Sequence, residues 1–199
     1  MHRLLLLIAA ACACSLPALA QEAEPPPDSR IWGGLDIGYA YLSRSYSVTS
    51  STSEGAATMA IRGGFALDRR LLLGAEFGGW TIQSSDVWEP SRGEAISTRF
   101  LVAQYYPLPQ STLFVRGGGG RIEYWNNRPG ESGASGKGAI AGAGYDIPLN
   151  ALLRGGVRTY FTPSLDYSWG GFDGATSPPG VVQDQRYHAV SIRIGLTLR

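Results

Sequence analysis

Met59-Ala60-Ile61-Arg62-Gly63-Gly64-Phe65-Ala66-Leu67 decides the fold class. Its odd positions hold Met, Ile, Gly, Phe and Leu, and its even positions hold Ala, Arg, Gly and Ala. Neighbours in a strand point to opposite faces, so the stretch has one greasy face and one small, charged face. An apolar outside around a polar inside is the pattern of a β-barrel whose solvent is lipid.

The same alternation recurs in eight stretches, approximately Ile31–Ser43, Ala57–Leu67, Leu71–Gln83, Ala95–Tyr106, Thr112–Tyr124, Gly138–Ile147, Ala151–Phe161 and Tyr187–Leu198. A tilted membrane strand needs about 9–11 residues, and each stretch reaches that length. Connectors alternate in length. Asp68-Arg69-Arg70, Pro107 to Ser111 and Pro148-Leu149-Asn150 are short, whereas Arg44–Ala56, Ser84–Glu94, Trp125–Lys137 and Thr162–Arg186 are long. Short periplasmic turns with long external loops are expected of an all-β, eight-stranded antiparallel transmembrane barrel.

The lipid-facing phase reads Leu35, Ile37, Tyr39 and Tyr41 on the first strand, then Met59, Ile61, Phe65 and Leu67, then Leu71, Leu73 and Phe77. It continues through Ile96, Phe100, Val102 and Tyr106, through Leu113 and Val115, and through Ala139, Ala143 and Tyr145. Leu153, Val157 and Phe161 follow, and Val190, Ile192, Ile194, Leu196 and Leu198 close the pattern. Phe65, Tyr106 and Tyr145 gather toward the turns, and Tyr39, Tyr41, Phe100 and Phe161 toward the loops, as two interfacial girdles require. A secreted soluble barrel of lipocalin type would turn the apolar face inward. The 27 glycines, many on the small face, argue against it, because glycine is depleted from ordinary strands and a narrow barrel interior favours small residues.

Residues 1–20 read as a signal peptide: Arg3, then the apolar run Leu4 to Ala11, then Ala18-Leu19-Ala20 before Gln21. Both cysteines, Cys12 and Cys14, fall inside it, so no disulfide is expected in the mature chain. The lipoprotein alternative has only poor consensus around those cysteines. Without Arg3, the 17 basic residues become 16 against 16 acidic ones, a neutral balance that points to no nucleic-acid partner. Residues 21–30, with Pro25-Pro26-Pro27, read as a periplasmic lead-in, and residues 31–199 as the barrel.

On Tyr105-Tyr106-Pro107, Val115-Arg116-Gly117-Gly118-Gly119-Gly120, Ala143-Gly144-Tyr145-Asp146-Ile147-Pro148 and the closing strand, the chain resembles the small eight-stranded outer-membrane barrels. These are the OmpA transmembrane domain and the OmpX/Ail and OmpW-like families. The resemblance implies a Gram-negative outer-membrane location and assembly by the barrel-assembly machinery. It also implies contact with outer-membrane lipid and lipopolysaccharide, and a monomeric state. One departure is the end, Leu198-Arg199, where these families carry an aromatic residue.

Nine charges are expected in the lumen: Asp36, Arg62, Glu76, Arg99, Arg116, Asp146, Arg154, Arg158 and Arg193. Register about the turns sets Arg62 opposite Glu76, Asp146 opposite Arg154 and Asp36 beside Arg193. Arg99, Arg116 and Arg158 have no carboxylate assigned. By resemblance to OmpA-like interiors, such a network implies a gated, weakly anion-selective pore for ions or small solutes. The alternative is a packed polar core that conducts nothing, which the narrow lumen of eight strands favours.

Lipid-A-modifying catalysis is the remaining class. His188 is the one histidine of the mature chain, and Ser191, three residues on, falls on the opposite strand face, so no nucleophile–base pair forms. No catalytic, cofactor or metal site is therefore expected. The external loops carry Ser45 to Ser53, Asp86-Val87-Trp88-Glu89-Pro90, Trp125-Asn126-Asn127-Arg128 and Phe161 to Tyr187, and loops on a rigid scaffold commonly bind extracellular ligands. The reading is an envelope scaffold with surface-loop interactions.

Overall fold

The computed structural model of the chain describes residues 31–46, 52–82, 94–108, 111–126, 133–149, 158–177 and 181–199. The signal segment, the lead-in and Asp86 to Pro90 lie outside those residues. Eight long strands and one short bridge follow in order: β1 (Ile31–Tyr46), β2 (Thr52–Ala66), β3 (Leu71–Ile82), β4 (Glu94–Tyr105), β5 (Leu113–Asn126), β6 (Ala134–Tyr145), the two-residue β7 (Ile147–Pro148), β8 (Thr159–Ser177) and β9 (Val181–Leu198). Each long strand pairs antiparallel with its neighbour, β1 pairs with β9, and β6 pairs with β8, so the sheet closes.

Closure fixes the tilt. Direct partners lead from Phe161 through Leu196, Leu35, Ile61, Phe77, Arg99, Arg121 and Lys137 back to Gly171, ten residues further along β8. A stagger of that size in eight strands tilts them by about 40°, and each row of direct partners climbs about 3 Å per strand crossed.

The outer face is apolar. Ile37, Tyr39, Met59, Ile61, Phe77, Ile192 and Ile194 stand exposed, as the alternation requires. Phe65 and Tyr105 mark the turn side; Tyr39, Tyr41, Tyr167 and Trp169 mark the loop side.

Two readings from the sequence are corrected. Of the seventh stretch, Ala151 to Val157, with Leu153, lie outside the described residues, and only Thr159 to Phe161 belong to the strand: β8 runs on from Thr159 to Ser177, and β9 starts at Val181. The segment 162–186 read as a loop therefore forms most of a hairpin, and Phe161 lies at the turn side rather than the loop side. Second, β4 has the opposite phase. Ile96, Phe100, Val102 and Tyr106 are buried in the lumen, while Leu101 and Tyr105 face out. Bulk chooses this phase, since Phe100 and Val102 sit directly opposite Gly120 and Gly118 of β5 and fill space those glycines leave.

Candidate functional site in the barrel lumen

The inward positions of β1 record the layers of the lumen. From the turn side they are Trp32, Asp36, Ala40, Leu42 and Arg44, all buried. Trp32 belongs to the floor, Asp36 to a ring of charges, Ala40 and Leu42 to an apolar plug, and Arg44 to the mouth.

The ring holds three guanidinium groups and three carboxylates, an even balance. Arg116 of β5 donates from Nε to Asp166 Oδ1 at 2.7 Å and from Nη2 to Asp166 Oδ2 at 2.5 Å, a bidentate pair over Gly142 of the intervening β6. Arg193 of β9 donates from Nε to the same Oδ2 and from Nη1 to Glu76 Oε1, each at 2.9 Å. Arg62 of β2 donates from Nη2 to Asp36 Oδ1 at 3.1 Å and to Thr197 Oγ1 at 3.3 Å. Arg116 Nη1 ties the two halves together, 3.5 Å from Glu76 Oε2 and 4.0 Å from Asp36 Oδ2. Each partner is nearly inaccessible, so pairing is what makes these charges tolerable.

Glycine opposite a carboxylate makes the room. Asp36 is the direct partner of Gly195 and Asp166 of Gly142. A Cβ on either glycine would come within 2.0 Å of the facing aspartate oxygen.

Below the ring, Asp146 accepts from Tyr106 Oη at 2.6 Å and from Thr162 Oγ1 at 2.8 Å, and pairs with Arg199. Thr162 and Thr197 bond at 2.9 Å, joining this floor to Arg62. Trp32, Leu72 and Phe114 pack around it. Above the ring, Leu42, Trp80, Ile96, Ile122, Phe172 and Tyr187 form a continuous apolar cluster. Trp80 and Tyr187 rings lie 5.5 Å apart, and Phe172 and Tyr187 rings 5.9 Å apart. Arg44 closes the mouth with Glu54 and, at 2.5 Å, Glu94.

Measured against the sequence, the register pairs Arg62 with Glu76 as the turn implies, yet Arg62 bonds Asp36 instead. Asp36 does not face Arg193. Arg193 is paired with Gly38, two positions away, and its side chain reaches Glu76 and Asp166. Asp146 takes Arg199 as its partner, and Arg154 lies outside the described residues. Arg158 sits at the barrel base, exchanging backbone bonds with Arg199. Arg99 is not in the lumen: it faces outward with Glu123 at 3.1 Å, a consequence of the corrected β4 phase.

Asp166, the hub of the ring, falls in the segment that the sequence reads as a loop. Its signal was present, because Thr162, Ser164, Asp166 and Ser168 alternate with Leu165, Tyr167 and Trp169. His188 faces outward and its Nδ1 lies 2.6 Å from Tyr167 Oη, whereas Ser191 is buried and accepts from Trp80 Nε1 at 3.3 Å. The two stand on opposite sides of the wall.

No family model and no curated protein matches the chain. Solved structures do. Neisserial surface protein A matches with a TM-score of 0.53 at 14% identity, over 85% of this chain and 96% of that one. The attachment invasion locus protein Ail of Yersinia pestis matches at 0.47 and 9% identity, over 85% and 99%. OprG of Pseudomonas aeruginosa matches at 0.44 and 12% identity, over 83% and 95%. With its closed, antiparallel, apolar-outside wall, the chain has the fold of the small eight-stranded outer-membrane β-barrels.

Proposed function

We propose that this protein is a non-conducting scaffold of the outer membrane that presents an extended wall outside the lipid for contact with external partners. The observation that carries it is the stacking in the lumen: an apolar plug lies over a charge-balanced ring, and a bonded floor lies beneath. An ion would have to cross Leu42, Ile96, Phe172 and Tyr187 without hydration, and a dry apolar constriction is a barrier to ions.

Strand length supports the second half of the reading. β1 has 16 residues, β2 15, β8 19 and β9 18, against the about 9–11 that span a membrane. These four are neighbours in the sheet, so their excess forms one continuous wall on the loop side. Among the described residues, β2 pairs with β3 up to Ala57 and β8 with β6 up to Asp173, while β1 and β9 carry the wall higher.

The narrow, gated channel is the competing reading, and the charge ring is its support. Planar-bilayer recording of the refolded protein separates the two, with insertion checked by a gel-mobility shift on heating. Silence from the wild type and from Glu76→Ala is the expected result. Discrete openings in the wild type that change with Glu76→Ala would transfer the function to the lumen.

A further inference from the structure

Around most of the barrel the lipid-facing side is apolar, but across β4, β5 and β6 it carries a row of cations. Arg99 is the direct partner of Arg121, and Arg121 of Lys137. All three are exposed. Glu123 meets Arg99 at 3.1 Å and Arg121 at 3.2 Å, so among the described side chains one carboxylate stands against three cations, a net positive charge. Arg121 and Lys137 border a depression of about 610 Å³ lined with Gly120, Ser135, Gly136 and Gly138.

Height matters for what fills it. Rows of direct partners climb about 3 Å per strand from β9 toward β6, so this row rises from Phe77 to its highest point at Lys137. Trp169, a marker of the loop-side interface, pairs with Ala139, two residues below Lys137. The cations therefore stand at headgroup level on the outer leaflet, where an arginine or lysine is tolerated far better than at mid-membrane. Beneath them the wall is recessed: Gly119 and Gly117 pair with Ala139 and Ala141. Leu101 on one side and the stacked Tyr167 and Trp169 on the other stand above this floor. The recess is two strands wide, about 10 Å.

We infer that this face binds one lipid of the outer leaflet through a phosphorylated headgroup held by Arg121, Lys137 and Arg99, with its acyl chains in the recess below. Charge complementarity selects the headgroup, since guanidinium groups match phosphate oxygens bidentately. The recess demands chains, because its glycine and alanine floor leaves acyl-sized space between aromatic and leucine walls.

Native mass spectrometry of the refolded full chain tests it, using diphosphorylated lipid A, the same lipid dephosphorylated, and inorganic phosphate as probes. One diphosphorylated lipid retained per barrel, at least 10-fold better than the dephosphorylated form, is expected. Arg121→Gln with Lys137→Gln should cost at least 10-fold, while Arg121→Lys keeps most of the retention. Gly119→Leu, which fills the recess and leaves the charges, should also weaken binding. Equal retention of the two lipids, or by wild type and the double variant, overturns the proposal. Displacement by equimolar inorganic phosphate overturns it too, since it would mean an ion site without chains. Heat-dependent gel mobility confirms that every variant is folded.

Discussion

The ring and the plug occupy the same tube and are built on the same strands, yet they are held by different forces. On β3, Glu76 serves the ring and Trp80, two pleat repeats higher on the same face, serves the plug. On β9, Arg193 serves the ring and Tyr187 the plug. The ring is bonded, directional and charge-balanced, so each group depends on named partners. The plug is packed and non-directional, so its members depend on volume. A barrel interior is thus two cores in series, and substitution should separate them by kind as well as by size.

The largest effect is expected where one group serves two others. Asp166→Ala leaves Arg116 and Arg193 without their shared carboxylate in a buried site, and breaking such a pair costs about 3–5 kcal/mol. Urea unfolding of the refolded barrel, followed by gel mobility, reads it. Replacing Arg116 and Asp166 together by Met and Leu should recover most of the loss if the penalty comes from stranded charge. A double variant as unstable as Asp166→Ala would show that the ring is held by packing, like the plug.

Phe172→Ala is next. Its buried ring contacts Tyr187 and Tyr124, and deletion of a core phenylalanine costs about 3–5 kcal/mol, toward the lower end where water enters the mouth. The same variant tests the barrier: bilayer conductance should rise above the silent wild type. A stable, silent Phe172→Ala would mean that the ring itself blocks the lumen.

Gly195→Ala links the two kinds of core. It adds volume, a plug-type perturbation, at a ring position, where its Cβ would lie 2.0 Å from Asp36 Oδ1 and 2.6 Å from Leu35 O. Overpacking of this kind costs about 1–3 kcal/mol. Asp36→Ala in the same chain removes the contact with the carboxylate, leaves that with Leu35 O and strands Arg62, so the two losses should sum to less than full additivity. Additive losses would show that the glycine does not serve the carboxylate.

The division also explains what the sequence made legible. On β1, β2, β3 and β9 the outward apolar phase is legible, since the inward positions are mostly charges, glycines and small residues, with Trp32, Leu42, Leu72, Trp80 and Tyr187 as the bulky exceptions. β4 contributes to the plug, so both of its faces are apolar: Ile96, Phe100 and Val102 inside, Leu101 and Tyr105 outside. An apolar-outside rule has no purchase there, and Arg99 was carried to the wrong side with it. β8 was obscured differently. Pro163 and the glycines after Trp169 look like loop, and Pro cannot donate to a ladder. The structure accommodates it because β7 partners end at Phe161 and β6 partners begin at Ser164, so Pro163 lies in the gap between them. That one displaced strand hid Asp166, and with it the hub that Arg116 lacked.

The smallest effect should come from a pair that resembles the ring in composition and differs in surroundings. Arg44 joins Glu54 and Glu94 at the mouth, where the Glu54 side chain is 30% exposed. Arg44 itself is buried and only the Glu54 side opens to water, so Arg44→Gln should cost about 1 kcal/mol, the upper end of the range for exposed pairs. Salt distinguishes the sites more sharply than magnitude. Raising ionic strength from about 0.01 to 1 M shortens the screening length from about 30 to 3 Å, which weakens exposed pairs and barely reaches buried ones. The Arg44→Gln loss should therefore shrink in molar salt, while the Asp166→Ala loss persists. If both fade together, water reaches the ring through the plug, and the lumen is one wet core instead of two.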